Sequence, residues 1–146
     1  MPYTYEFPRP SVTVDVVLIT QEAAPRVLLI RRKHDPFAGA WALPGGYVDP
    51  DEPLPAAAAR ELREEAGVDA VNLEQLAVFG DRGRDPRGWT VSVAFLGHVP
   101  ADTKATAADD AAEVGWHRLD QLPHPLAFDH DKILGRAKAR LAAFGP

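Results

Sequence analysis

Three glutamates, Glu61, Glu64 and Glu65, crowd the segment RELREEAGV that ends at Val68. At about 100° per helical residue, Glu65 stands ~40° to one side of Glu61 and Glu64 ~60° to the other, so a helix here presents all three carboxylates on one face. Glu61 and Glu65 become a like-charge i,i+4 pair, costing roughly a few tenths of a kcal/mol. All three also gather at the end of the helix where the macrodipole favours cations. Arg60 reaches Glu64 at i,i+4, but one guanidinium does not neutralise three carboxylates. Two readings stand: a solvated charged face, or a site for a hard divalent cation, which takes oxygen ligands.

The flanking residues bear on that choice. Leu43-Pro44-Gly45-Gly46 reads as a sharp turn whose glycines let backbone approach a ligand. Asp51 or Glu52 can start the helix, with Pro53 in its first turn, and Gly67 ends it as a left-handed cap. Arg31 and Arg32 end the apolar run that leads into the turn, and strand alternation lets only one of them face it. Gly80 to Gly88 is a turn-rich loop with Arg82, Arg84 and Arg87. It reads either as a solvated hairpin loop with internally paired charges or as a source of guanidinium forks for phosphate and ribose.

The elements that must position these groups follow from periodicity. Val12, Val14, Val16 and Leu18 alternate into a strand, and Val27 to Arg32 is a second, apolar enough to be buried. Val71 to Phe79 reads as a strand, Trp89 to Phe95 as a clear alternating one, and Val114 to Leu119 as a short one. Residues 100–112 form a small-residue, acidic loop and 121–128 a proline-punctuated stretch. Asp129 caps a last helix with Ile133, Leu134, Ala137, Leu141 and Phe144 on one face. Residues 1–10 are an extended arm whose Tyr3, Tyr5 and Phe7 either pack on the domain or reach a second subunit, as in a homodimer.

At 146 residues the chain is one domain with a proper core, and 46% hydrophobic and 25% charged residues are ordinary for a soluble globular protein. The net charge of −5 speaks against nucleic acid as a partner. With no cysteine, thiolate catalysis, disulfides and cysteine-ligated zinc are excluded. No signal-like start and no membrane-length apolar run are present, so the expectation is a cytoplasmic protein with no membrane partner.

Gly46, five residues, Glu52, seven residues, then Arg60-Glu61-Leu62-Arg63-Glu64-Glu65-Ala66-Gly67-Val68 resembles the Nudix box at every specified position. The flanking VLLIRR, WALPGG and a later Trp-containing strand are also similar to family members. The resemblance implies an α+β fold, a mixed β-sheet sandwiched between α-helices. It further implies Mg²⁺- or Mn²⁺-dependent hydrolysis of a nucleoside diphosphate linked to another group. By that resemblance Glu61, Glu64 and Glu65 bind metal together with the Gly45 carbonyl. Arg60 orients the cluster by pairing with Glu64 or Glu52, and Glu52 braces loop against helix. Asp49 fills a further acidic position of the box.

A general base comes either from the box, where Glu61 and Glu64 are candidates, or from a later loop acid. Of Asp109, Asp110 and Glu113, the choices are Asp110 and Glu113. GRDPRG and LAFDH resemble ADP-ribose pyrophosphatases, which makes Arg32, Arg84 and Arg87 substrate-binding candidates and ADP-ribose, split to AMP and ribose 5-phosphate, the leading substrate. One departure is that the proline many such enzymes carry about fifteen residues past the box is replaced here by the Arg82-Gly83 region. His130 either contacts a base or ribose or leaves that place to a capping Asp129. The other histidines have no metal-ligand spacing, Trp41 and Trp116 read as core, and Phe37 and Trp89 are open. The alternatives are a sanitising hydrolase of (oxidised) nucleoside triphosphates that releases pyrophosphate, and a non-catalytic ADP-ribose sensor. Against the sensor stand the intact box carboxylates and a sequence after the last strand long enough for one helix only.

Overall fold

The computed structural model describes residues 3–69, 72–108 and 111–144. Its elements are β1 (Ser11–Gln21), β2 (Arg26–Arg32), β3 (Trp41–Ala42), β4 (Gly45–Tyr47), α1 (Leu54–Ala66), β5 (Glu74–Phe79), β6 (Thr90–Pro100), β7 (Ala111–Arg118) and α2 (His130–Phe144). The strands form one mixed sheet in the order β3-β2-β1-β6-β5, with β4 against β1 and β7 against β2. The architecture is the α+β sandwich that the box implies.

β1 is its axis. It pairs in parallel with β6 over its whole length, from Ser11 opposite Thr90 to Gln21 opposite Pro100. Its other edge is divided. Thr13, Val14 and Asp15 pair with Tyr47, Gly46 and Gly45 of β4, whereas Ile19 pairs with Val27 of β2. The sheet therefore splits beside Asp15, and the split leaves β4 and the end of β2 facing each other across a gap.

Both faces of β1 are covered, which is why eight consecutive residues of it, Thr13 to Thr20, are buried and why alternation alone understates it. Val14, Val16 and Leu18 pack in the layer of Ala57, Ala58, Leu62 and Ala66 of α1. Val17 and Ile19 pack in the layer of Ile133, Leu134 and Ala137 of α2. No described helix is long and apolar enough to cross a membrane.

Several expectations need adjustment. Leu43–Gly46 is not simply a turn, because Gly45–Tyr47 is a strand paired with β1. β7 begins at Ala111, so Glu113 lies on a strand opposite Arg31 rather than at the end of a loop. β5 begins at Glu74, and Val71 lies outside the described residues. α1 starts at Leu54 with Pro53 as N-cap and no side-chain cap, because the Glu52 carboxylate accepts from the Asp49 N–H and from Arg60 instead. Gly67 does end α1 in the left-handed region, at φ 64°, with its N–H donated to the Arg63 carbonyl. Residues 3–9 of the arm are exposed. Tyr3 and Phe7 are exposed, while Tyr5 stacks on Tyr3 and carries the Arg9 guanidinium 3.8 Å above its ring.

Candidate active site

α1 brings the box carboxylates to the gap in the sheet. Its apolar residues Ala57, Ala58, Leu62 and Ala66 are fixed against β1 and β6, which turns Glu61, Glu64 and Glu65 toward β4. They line one cleft of about 480 Å³ together with Gly45, Gly46, Tyr47, Arg60, Arg32 and Arg87.

Arg60 is the centre of this acidic wall. Its Nε and Nη2 donate to Glu52 at 2.8 and 2.9 Å, and its Nη1 to Glu61 at 2.9 Å and Glu64 at 3.2 Å. A further bond from Nη2 to the Tyr47 carbonyl ties it to β4, and Asp49 stands 3.4 Å from Nε. The guanidinium thus pairs with both Glu52 and Glu64, and Glu52 links the 49–52 loop to the helix. Hydrogen bonding to Arg60 holds the Glu52 carboxyl down to about 2. The same contacts, the bond to Glu52 first, push the arginine's own pKa up.

Glu65 is different. It is buried, and its Oε1 accepts the Gly45 N–H at 3.0 Å. Burial pushes its carboxyl up to about 9, and the neighbouring Glu61 and Asp15 charges add to that against the opposing Gly45 bond. Burial raises Glu61 as well, despite Arg60. A buried carboxyl that ionises only in alkaline solution marks a place short of positive charge.

The glycines at positions 45 and 46 are required by close approach. A Cβ on Gly45 would stand 2.2 Å from the Val14 carbonyl oxygen, and one on Gly46 would stand 2.7 Å from the Glu61 carboxyl carbon. Within the chain, what approaches them is β1 and the Glu61 side chain.

Beneath the turn lies a polar network that periodicity did not reveal. Buried Asp15 accepts a short hydrogen bond from the Ser92 hydroxyl and faces His130 Nε2 at 3.3 Å. His130 Nδ1 accepts the Leu43 N–H at 2.9 Å. Burial works to raise the Asp15 carboxyl, but His130, Ser92 and Arg84 more than offset it and hold it below its usual range. The signal was present in the sequence: an aspartate in the middle of an apolar strand must be paired or hydrogen-bonded. With both ring nitrogens engaged and 4% exposure, His130 supports the turn.

The opposite wall is basic. Arg32 lines the cleft, while Arg31 projects from the other face of β2 and pairs with Glu113 at 2.9 Å in an exposed ion pair. Arg84 is 4% exposed in its side chain and makes a two-pronged pair with Asp129, at 2.9 and 2.6 Å. This corrects the expectation that Asp129 caps α2 with its side chain: the Arg84 guanidinium takes both oxygens. Arg87 pairs with Asp85 and lies 5.0 Å from the Tyr47 ring centre and 5.2 Å from that of Phe128. Lys33, His34 and Asp35 complete the rim.

Of the loop acids, Asp109 and Asp110 lie outside the described residues. Glu113 is not among the residues that line the cleft. Thr106 and Ala108 donate their N–H groups to the Ala66 and Glu65 carbonyls, so the chain segment before them is fixed to the end of α1. Among the described residues no three acidic or histidine side chains converge as a ready-made metal site. Glu61 and Glu64 are turned to Arg60, and Glu65 to Gly45. The donors nonetheless suit a hard cation: all are oxygens, they share one cleft, and at Glu65 they lack counter-charge.

Comparison with known proteins agrees with this geometry. Residues 9–137 match the model of the NUDIX domain. The chain is 41% identical over 125 residues to the ADP-ribose pyrophosphatase of Methanocaldococcus jannaschii, covering 86% of this chain and 71% of that protein. It is 39% identical over 140 residues to the ADPR responsive transcriptional repressor NtrR of Acinetobacter baylyi, covering 93% of this chain and 56% of the repressor. It therefore spans little more than half the repressor's length. Among solved structures, the NUDIX domain of Shewanella oneidensis NrtR complexed with ADP ribose superposes with a TM-score of 0.82 at 35% identity, covering 92% of this chain and 90% of that one. With the box on α1, the split mixed sheet and a family match over nearly its whole length, this chain belongs to the NUDIX domain family.

Proposed function

We propose that this chain hydrolyses a nucleoside diphosphate linked to another group in a divalent-metal-dependent reaction, with ADP-ribose as substrate and AMP and ribose 5-phosphate as products. The observation that carries this reading is a single cleft with an acidic wall, Glu61, Glu64 and Glu65, facing a basic one, Arg32 and Arg87. A diphosphate is the group that needs both: cations to take its charge and carboxylates to hold and deprotonate what attacks it. The 41% identical ADP-ribose pyrophosphatase supports the choice of substrate.

Glu61, Glu64, Glu65 and the Gly45 carbonyl are the groups to hold Mg²⁺ or Mn²⁺. Bound there, a divalent ion neutralises developing charge on phosphate oxygens and lowers the pKa of an attacking water. Arg60 pre-positions Glu61 and Glu64, and Glu52 pre-positions Arg60. Arg87 and Arg32 grip phosphate or ribose oxygens, while Arg84 acts one step removed by fixing the loop that carries Arg87. Glu64, with its side chain 46% exposed, is the accessible box carboxylate for taking the water's proton. Glu113 reaches that role only by leaving Arg31, and Asp110 is the other loop candidate.

The identity to a repressor supports a second reading, in which the same cleft binds ADP-ribose as a signal within a longer protein. On that reading contacts with DNA belong to segments other than this domain, whose net charge is −5. The exposed aromatic arm is where a second copy of the chain would dock, which sedimentation of full-length and arm-truncated protein tests. A substrate panel with Mg²⁺ and with Mn²⁺, products resolved by chromatography, decides among the functions. AMP plus ribose 5-phosphate from ADP-ribose is expected. Pyrophosphate from nucleoside triphosphates would select the sanitising alternative, and tight ADP-ribose binding without turnover would select the sensor.

A further inference from the structure

Two phenylalanines, Phe37 and Phe128, hold backbone conformations that bulky side chains rarely adopt, with φ of 63° and 52°. Such residues are strained and persist where their surroundings over-determine them. Their rings meet, 4.8 Å apart and tilted by 59°. Around Phe128 stand both arginines of the basic wall, Arg32 at 4.9 Å and Arg87 at 5.2 Å from the ring centre, and Arg87 also lies over Tyr47 at 5.0 Å.

This arrangement answers a physical difficulty of the cleft. Arg32 and Arg87 share it with three glutamates, and long flexible cations so placed are drawn onto the carboxylates, as Arg60 is. Polar contacts restrain them in part: Arg32 Nε donates to the Pro36 carbonyl at 2.7 Å, and Arg87 Nε and Nη2 donate to Asp85. Stacking restrains them further and differently. An aromatic ring engages the face of a guanidinium, which leaves the in-plane N–H edge to donate to an anion. Arg87 Nη1 makes no hydrogen bond to any described residue.

We infer that Phe128 is a positioning residue that steadies Arg32 and Arg87 on the basic wall, with Tyr47 as a second support for Arg87, so that the Arg87 guanidinium presents its Nη1 edge to the diphosphate of the substrate. The inference rests on the diphosphate reading of the cleft and does not depend on which group is attached to it.

The test separates ring electrostatics from ring bulk. Phe128→Leu keeps apolar volume and removes the aromatic face, whereas Phe128→Tyr keeps the face. Inorganic pyrophosphate, titrated calorimetrically in EDTA, reads the basic wall without turnover or metal. Wild-type protein that binds pyrophosphate but does not hydrolyse ADP-ribose would sink the proposed reaction and leave this inference standing. Phe128→Leu is expected to weaken pyrophosphate roughly tenfold, the combined effect of two cation–π contacts, and to raise KM for ADP-ribose by a similar factor at little change in kcat. Phe128→Tyr should restore both.

Should Phe128→Leu fail to fold, Tyr47→Leu serves: Tyr47 is 43% exposed, and its loss should weaken pyrophosphate about threefold. Equal weakening by Phe128→Leu and Phe128→Tyr would show that only shape matters. Unchanged binding in Phe128→Leu, or in Tyr47→Leu where that is the variant measured, would show that the arginines stand without the rings. Either result overturns the inference.

Discussion

Replacing Glu65 with glutamine should make the metal-free protein more stable while abolishing its catalysis. In the folded chain Glu65 is buried and its carboxyl is pushed up to about 9, against an ordinary value of 4.5. Between those two values the folded protein keeps a proton that the unfolded chain has lost, so stability falls as pH rises from 4.5 and levels off above 9. At pH 7.5 the interval is three pH units, or about 4 kcal/mol at ~1.4 kcal/mol per unit. A glutamine carries no such penalty. Its Oε1 can still accept the Gly45 N–H, and its amide can donate to the neighbouring Glu61 carboxylate.

The assay is thermal unfolding in EDTA at pH 5, 6.5 and 8. Glu65→Gln should melt close to wild type at pH 5 and well above it at pH 8, by roughly 10 °C for a chain of this size. Its kcat should fall about a thousandfold or more with the loss of metal stabilisation of the transition state. Adding Mg²⁺ should raise the wild-type melting temperature and leave the variant's unmoved. A Glu65→Gln protein no more stable than wild type at pH 8 in EDTA would refute the claim that this carboxyl is buried without a counter-charge.

Further outcomes follow from the same geometry. Arg84→Ala leaves the Asp129 carboxylate buried beside a void and should cost about 3–5 kcal/mol of stability by denaturant unfolding; Arg87→Ala should leave stability nearly intact and raise KM for ADP-ribose, lowering kcat/KM about ten- to a hundredfold. Gly45→Ala, whose Cβ would meet the Val14 carbonyl oxygen at 2.2 Å, should destabilise the fold, whereas Gly46→Ala collides with the movable Glu61 side chain and should show as weakened Mg²⁺ affinity in calorimetry with the melting temperature nearly kept. Because cation binding requires Glu65 to ionise, Mg²⁺ affinity should rise with pH up to about 9 and binding should release protons, measurable in buffers of different ionisation enthalpy.

The helix carrying the glutamates was legible because everything that defines it is local: the apolar positions 57, 58, 62 and 66, and Gly67 as a stop. Its first turn was less so, since Glu52 is claimed by Arg60, eight residues on, and a cap is a contest between partners that sequence does not display. β3 and β4 are too short for any period to show and exist because β2 and β1 pair with them. The composition of the arginine loop admits both a paired-charge hairpin and a set of guanidinium forks, and the division of labour within it was hidden. Asp129, which takes Arg84, is 45 residues away in sequence. Asp15 alone could have been singled out, as a charge in a strand whose neighbours are all buried.

The full-length pairing of β1 with β6 makes chain length itself a determinant of activity. A strand changes face with every residue, so deleting or inserting one residue between Ser11 and Asp15 would carry Asp15 to the α1 side of the sheet and place a valine beneath Gly45. Neither glutamates nor arginines would be altered, yet the turn that links them would lose its buried support. Insertions and deletions within β1 are therefore as damaging to the chemistry as substitutions in the box, although most of the residues they touch never meet a substrate.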